Sequence, residues 1–589
     1  MIQNNLNLKK AFARVLRLSI LATMIVVMNG FAAAEVFIVS SASDIENVLP
    51  DLDPGDTVVM TDGNWSDQQI EFSGTGIKGA PITLCAQTPG MVVLDGNSTL
   101  GISGDWLVVS GLRFEGGSLN SGSIVQFRGD LGHATNSRLT NSAIVDYNPP
   151  DPATRYFWVS LYGQHNRVDN NFFQNQDHSG VTVVVWRDTP EPDFHVIDRN
   201  HFADRPPGNG NGFETIRLGT STESESDSFS HVESNLFERV DGEIEIISNK
   251  SGGNSFRYNT FSESAGTLTL RHGHGNLVDG NFFLGNGKDA TGGVRLIGEN
   301  QVIVNNYFME TDGRADGAIA VTAGVPNSPL TGYPQVINAV IAHNTIVDVN
   351  DAAIVFSQGL GSSGRTLLAE NVIIANNVFY STQDPLFEGQ EGADWTWQSN
   401  VAFGQSLGPV AGNPGVKVID PLLARDAGMI WRPQRGSPLV NSSAGGFSRF
   451  ARLDIDGQER VNAFDIGADE SSAGEVTRGV LTGADVGPPL TVSLSTNVVS
   501  EADGNSALTV TIVRNKSLSD PLNVTISNSD TSEISIPISL MIPAGQSAAT
   551  FDVNVIDDNK PDGDQVVTIT ASATGHPAGS ATLTVTDDD

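Results

Sequence analysis

The sequence predicts an all-β protein: a long right-handed parallel β-helix followed by a small β-sandwich. Three observations carry that prediction. Asn-x-aromatic units recur as Asn171-Phe172-Phe173, Asn200-His201-Phe202, Asn235-Leu236-Phe237, Asn259-Thr260-Phe261, Asn281-Phe282-Phe283, Asn306-Tyr307-Phe308 and Asn377-Val378-Phe379. Most are separated by about twenty to forty residues, the scale at which a solenoid is sought first. Short alternating segments broken by Gly, Asn and Asp surround each unit, with almost no helical periodicity. From Thr491 the pattern changes to a run of alternating strands, such as LTVTIVR and QVVTITASA, which suits a sandwich.

The elements follow in order. Lys9, Lys10, Arg14 and Arg17 precede an apolar run, and Ala32 and Ala34 form an A-x-A cleavage signature, so residues 1–34 read as a signal peptide. A membrane anchor is the weaker reading, because Asn29 and Gly30 interrupt a run already short for a span. The mature chain is therefore expected to be secreted or periplasmic, with no membrane span. Residues 35–470 form the β-helix. Its first part contains an amphipathic segment expected to cap the open solenoid end, since a terminal coil cannot leave its core exposed. Stacking sends each unit's apolar residue into an interior column and lets its Asn bond backbone at the turn. The single cysteine, Cys85, leaves no internal disulfide and is expected to fill a core position. Segments LDIDGQER and FDIGADE resemble the closing part of secreted β-helix proteins. Residues 471–490 read as a linker rich in small residues, and 491–589 as the sandwich.

Acidic residues outnumber basic ones by 68 to 33, a formal net charge of −35. That excludes a nucleic-acid binder, which needs a broad basic footprint. If the substrate is itself a polyanion, a local cluster of Arg, Lys and metal must overcome the global repulsion.

Such a cluster lies between Asn211 and Arg295. In Glu243-Ile244-Glu245-Ile246 the two-residue strand period sends both carboxylates to one face and both isoleucines to the core. Adjacent like charges need a positive neighbour. Ca²⁺ is the natural one, with Asn211 and Glu214 from the preceding coil completing an oxygen shell. An ordinary acidic ladder on a solvated face is the alternative for Glu243 and Glu245 alone. Glu214 and Arg217 have opposite parity, so both face the cleft only if the strand begins or bulges between them. Lys250 follows on the same coil, and Arg271 with His272 arrives about one coil later. Elimination from a uronate needs its carboxylate neutralised, a base for the C5 proton and support for the departing O4. Ca²⁺ meets the first need and Lys250 the second. Arg271 suits stabilisation of developing charge because a guanidinium stays protonated, which leaves His272 or water to deliver the proton.

The segments NGFETIRLG, DGEIEIISNKSGGN and TLTLRHGHGN together resemble polysaccharide lyase family six, the family of alginate lyases and chondroitinase B. The resemblance implies Ca²⁺ at Asn211, Glu214, Glu243 and Glu245, with Lys250 as Brønsted base and Arg271 as Brønsted acid. It also implies that Arg217, His272 and Arg295 contact substrate carboxylates. The C-terminal segment, from TVSLSTNVVSEADG to ATLTVTDDD, resembles a Calx-β domain, which implies Ca²⁺ at Glu501, Asp557, Asp558, Asp587 and Asp588. A solvated acidic surface is the alternative there.

The expected activity is thus a secreted alginate lyase that cleaves β-1,4 linkages by elimination, with a lean toward guluronate-containing blocks. A dermatan or chondroitin lyase on the same scaffold is the nearest rival. A polyuronate hydrolase would need paired catalytic carboxylates, and Lys250 has no obvious part in it. A Ca²⁺-dependent polysaccharide-binding adhesin would place function on the Calx-β-like module. Trp158, Tyr162 and Trp186 read as packing residues or a sugar-stacking edge, and His165, His178 and His195 lack metal spacing. Endo or exo action and oligomeric state are not encoded in any readable feature.

Overall fold

The computed structural model describes residues 34–588 apart from 383–384, 446, 448, 472–473 and 558–559. The predicted signal peptide, save Ala34, and Asp558 therefore lie outside the described residues. Among the described residues, three sheets of fourteen strands each run the length of the solenoid, and within them successive coils pair in parallel. This is the parallel β-helix that the repeats predict.

Two columns hold it together, and both come from the Asn-x-aromatic unit. Each Asn Oδ1 accepts the backbone N–H of the Asn one coil earlier, from Asn171 through Asn200, Asn235, Asn259, Asn281, Asn306, Asn344 and Asn377 to Asn400, at 2.9–3.0 Å. The side-chain amide donates to a carbonyl, as Asn235 Nδ2 does to Ile197 O at 2.8 Å. Buried turn groups that a sheet ladder would leave unmatched are thereby satisfied. Beside this column Phe173, Phe202, Phe237, Phe261, Phe283 and Phe308 stack with centroids 4.7–5.1 Å apart. Asn344 and Asn400 belong to the ladder although the residues two positions on, Ile346 and Ala402, are not aromatic.

The predicted cap is the helix Ala42–Val48, started by Ser41, whose hydroxyl accepts from Asp44 N. Ile45 is fully buried, and Ala42, Val48 and Leu49 pack on the first coils. At the other end Trp395, Trp397 and Leu407 cover the core. The expected closing segment does something else. Arg460 donates to Asn305 Oδ1, Gly467 O and Ala468 O, and Gly467 N donates to Asn376 O, so this segment lies along the flank of the solenoid. Cys85 also departs from expectation: Ile82, Leu84 and Ala86 of its strand point inward, so parity turns Cys85 outward and leaves it half-buried.

The C-terminal part forms a four-stranded and a five-stranded sheet around a separate core that includes Val510, Ile512, Val524, Val567 and Leu583. Glu501 is buried there, and Asp587 accepts from Gly563 N at 2.6 Å. The segment expected to be a linker is fastened at several points. Arg478 lies 3.6 Å from the Tyr258 ring centroid, Leu481 N donates to Thr260 Oγ1, and Gly487 N donates to Arg199 O. Lys516 Nζ donates to Gly483 O, Val486 O and Gly575 O, while its own carbonyl accepts from Arg113. Among the described residues no helix is long and apolar enough to cross a membrane.

Candidate active site

One sheet carries Arg217, Glu245, Lys250, Arg271, His272 and Arg295 on consecutive strands, and Asn211, Glu214 and Glu243 lie in the turns that lead into two of them. Arg217 pairs in register with Ser248, Ser248 with Thr269, and Thr269 with Arg295. The parity conflict between Glu214 and Arg217 is resolved by where the strand starts: it runs Ile216–Leu218, so Glu214 belongs to the incoming turn. The next strand, Glu245–Lys250, breaks simple alternation with register shifts after Glu245 and after Asn249. As a result Ile246 and Ile247 both enter the core. Ile244 does not, contrary to the two-residue reading, and packs with Ala315, Ala320 and Val355. The shifts let Glu245 and Lys250 serve one site although their spacing is odd.

Glu214 and Glu245 each lie near enough to Glu243 to act on its carboxyl. Glu214 is 2% exposed and Glu245 9%. Asn211, Glu243 and Glu245 line one cavity of about 380 Å³ together with Arg314. Gly212 N donates to Glu243 Oε2, and Ser248 Oγ donates to Glu245 Oε2. Glu214 Oε2 and Glu243 Oε1 are buried with no hydrogen-bond partner. Burial, reinforced by Glu214 and Glu245, pushes the Glu243 carboxyl up to about 8. The nearby cations stay at arm's length: Lys250 Nζ is 4.0 Å from Glu214 Oε1, Arg271 Nε 3.9 Å and Arg295 Nη1 3.8 Å from Glu245 Oε1. Hard oxygens with orphaned lone pairs and no close counter-ion fit a divalent cation of the Ca²⁺ type.

The other predicted residues surround this cluster. Arg217 is 7% exposed, its Nε unpaired and its guanidinium 5.0 Å from the Trp186 ring. Arg295 is also buried, with an unpaired Nε. His272 Nε2 lies 2.9 Å from Arg271 Nη1 and 3.2 Å from Gly332 O, between a group that only donates and one that only accepts. Burial and the Arg271 charge push His272 down to about 4, so it is neutral at ordinary pH and a poor proton donor.

Sequence reasoning missed Tyr333. Its ring lies 4.2 Å from the Arg271 guanidinium carbon, 4.8 Å from that of Arg365 and 5.7 Å from that of Arg295. The same loop accepts hydrogen bonds from Arg271 through Thr331 O and Gly332 O. Nothing in the repeat pattern marks it, because the loop lies about sixty residues beyond Arg271. Trp158 is a core residue that donates to His178 Nε2, whereas Tyr162 and Trp186 stack at 6.3 Å with Arg128 over Tyr162. His195 occupies a ladder position, accepting from Asn166 N at 3.1 Å, and His165 stacks on Phe194.

Comparison with known proteins gives consistent relatives. The sequence profile of a family described as Chondroitinase B matches residues 39–420. Among solved structures, the alginate lyase AlyGC, described as of family PL6, is 34% identical with a TM-score of 0.65, over 79% of this chain and 61% of its own. A mannuronic acid specific polysaccharide family 6 lyase from human gut microbiota is 31% identical, with a TM-score of 0.60 over 66% of this chain and 91% of its own. The alginate lyase AlyF-OU02 in complex with G6 is 25% identical, with a TM-score of 0.56 over 70% of this chain and 93% of its own. The chain thus spans 61% of the length of the first of these relatives. No curated protein sequence matches.

Proposed function

The chain belongs to the chondroitinase B family, polysaccharide lyase family six, and from that premise we propose that it is a secreted or periplasmic alginate lyase acting by β-elimination. The observation that carries this reading is the grouping of three glutamates, two of them with an orphaned buried oxygen, with one lysine and three arginines on consecutive strands of one sheet and the turns that lead into them. A glycosidase would use two carboxyls across the scissile bond and would have no use for Lys250.

Asn211, Glu214, Glu243 and Glu245 would hold Ca²⁺. When bound, that ion neutralises the uronate carboxylate and so makes the C5 proton removable. Arg217 and Arg295 offer guanidinium donors to the carboxylates of the chain. Lys250 takes the C5 proton on Nζ, the C5–H electron pair becomes the C4–C5 double bond, and the C4–O4 bond breaks. Arg271, fixed by Thr331 O, Gly332 O and Tyr333, faces the departing O4 and stabilises its charge. The proton that O4 finally takes comes from water, since the Arg271 guanidinium stays protonated and His272 is held neutral.

Guluronate-containing blocks are the proposed substrate, and poly-mannuronate is the discriminating control in view of the mannuronic acid specific relative. Dermatan sulfate is the second substrate to test, because the matching family profile is that of chondroitinase B. The C-terminal sandwich is read as an accessory module, Calx-β-like in sequence. Absorbance of unsaturated product should rise with alginate and stay flat with dermatan sulfate. The opposite pattern would transfer the proposal to the dermatan reading, and reducing ends without absorbance would mean hydrolysis.

A further inference from the structure

A charged side chain is buried at a repeat position of the solenoid where the neighbouring coils carry only uncharged residues. Strand register aligns Gln174, Ala203, Glu238 and Ser262 on successive coils. Two residues further on, the same step of the chain carries Gln176, Arg205, Val240 and Ser264. Val240 belongs to the main hydrophobic core, and Arg205 is 2% exposed. Among the described residues no carboxylate lies within ion-pair distance of its guanidinium. An uncompensated buried charge costs several kcal/mol, so its retention calls for a physical reason.

The contacts of Arg205 supply one. Nη1 donates to Glu214 O at 2.8 Å and to Thr182 Oγ1 at 2.9 Å. Nη2 donates to Gly180 O at 2.7 Å and to His178 O at 3.3 Å. Its own carbonyl accepts from Asp241 N at 2.8 Å. A Cβ on Gly242 would come within 2.9 Å of Nε, so the turn before Glu243 rests directly on the guanidinium. Three successive turns are joined in this way, those at 178–182, 213–215 and 241–243. The latter two present Glu214 and Glu243. Thr182 is fixed in turn by Gln176, to whose Oε1 its hydroxyl donates at 2.5 Å. The positive charge lies behind the glutamates and acts on both Glu214 and Glu243, where it offsets part of their mutual repulsion.

We infer that Arg205 is a positioning residue for the divalent-cation site: it sets the separation of Glu214 and Glu243 from inside the core, without touching cation or substrate. This rests on the Ca²⁺ reading given above. The test is calorimetric titration of the full chain with Ca²⁺, comparing the unsubstituted protein with Arg205→Met and Arg205→Lys, each checked for folding by circular dichroism. Arg205→Met, close in volume but without donors, should bind Ca²⁺ about 10- to 100-fold more weakly, the range seen when supporting contacts of metal ligands are removed. Arg205→Lys, which keeps charge and some donors, should fall between. A purely structural role would lower the unfolding temperature and leave the affinity of the folded protein unchanged, and that result would overturn the inference. If Arg205→Met does not fold, Thr182→Val removes one acceptor of Arg205 together with the donor to Gln176; a weaker affinity supports the inference and an unchanged one overturns it. Failure of the unsubstituted protein to bind Ca²⁺ would instead overturn the metal reading, and this inference with it.

Discussion

Two clusters in this molecule combine the same ingredients, carboxylates in threes beside arginines, and they differ in what is left over. Asp454, Asp456 and Asp469 lie close enough together to hold a metal ion. Yet Arg432 reaches Asp456 Oδ1 at 2.9 Å and Asp469 Oδ1 at 3.2 Å. Asp454 accepts from Asp456 N, Gln458 N and Glu470 N. The carboxylates of this cluster have donors at hydrogen-bonding distance. At Glu214, Glu243 and Glu245 the cations stand 3.8–4.0 Å away and two oxygens are orphaned. Spare acceptor capacity, more than proximity of carboxylates, marks a ligand site.

The comparison breaks most visibly at the base. Lys250→Ala should lower kcat by roughly 10²- to 10⁴-fold with no change in unfolding temperature. Asp456→Asn should do the reverse, lowering stability by about 1–3 kcal/mol while leaving kcat on alginate intact at a temperature where the variant is folded. Steady-state kinetics and thermal unfolding of the two variants decide this together. If Asp456→Asn abolished activity at full stability, the aspartate cluster would be functional after all.

A subtler contrast concerns charge without metal. A carboxyl held at about 8, well above the ordinary glutamate range, keeps its proton in the fold over a range where the unfolded chain has lost it. The stability this gives is complete below the unfolded value and is lost as pH rises through the folded one. In chelator, therefore, the unsubstituted protein should lose more stability between pH 5 and 9 than Glu243→Gln, by denaturant titration at each pH. Added Ca²⁺ should reduce that difference or reverse it. Smallest of all, His272→Gln should lower kcat/KM by one constant factor from pH 5 to 8, because the ring is pushed down to about 4 and does not titrate in that window.

What the sequence made legible follows from which residue types repeat. Asn-x-aromatic units revealed the coil because an Asn column and a Phe column each need the same residue at every step. The parallel column of Asn166, His195, Ser230, Asn254, Asn276 and Gln301 stayed hidden, since the backbone N–H is accepted by Asn, His, Ser or Gln from one coil to the next and no single residue type recurs throughout. At the candidate site, the glutamates, lysine and arginines were readable from their order along the chain. The register shifts around Ile246 and Lys250 were not, and they separate Ile244 from the core. Tyr333 and Arg205 were invisible for opposite reasons. Tyr333 arrives on a loop outside the repeat, and Arg205 hides at a repeat position whose other occupants, Gln176, Val240 and Ser264, share no residue type.

The central claim is elimination by Lys250 beside a Ca²⁺-filled glutamate cluster. Its most direct test is the absorbance of the C4–C5 double bond formed from alginate, followed for the unsubstituted protein, for chelated protein, for chelated protein resupplied with Ca²⁺, and for Lys250→Ala. The account predicts a rise that is lost on chelation, restored by Ca²⁺ and absent in Lys250→Ala. An undiminished rise in Lys250→Ala, or in fully chelated protein, would contradict it.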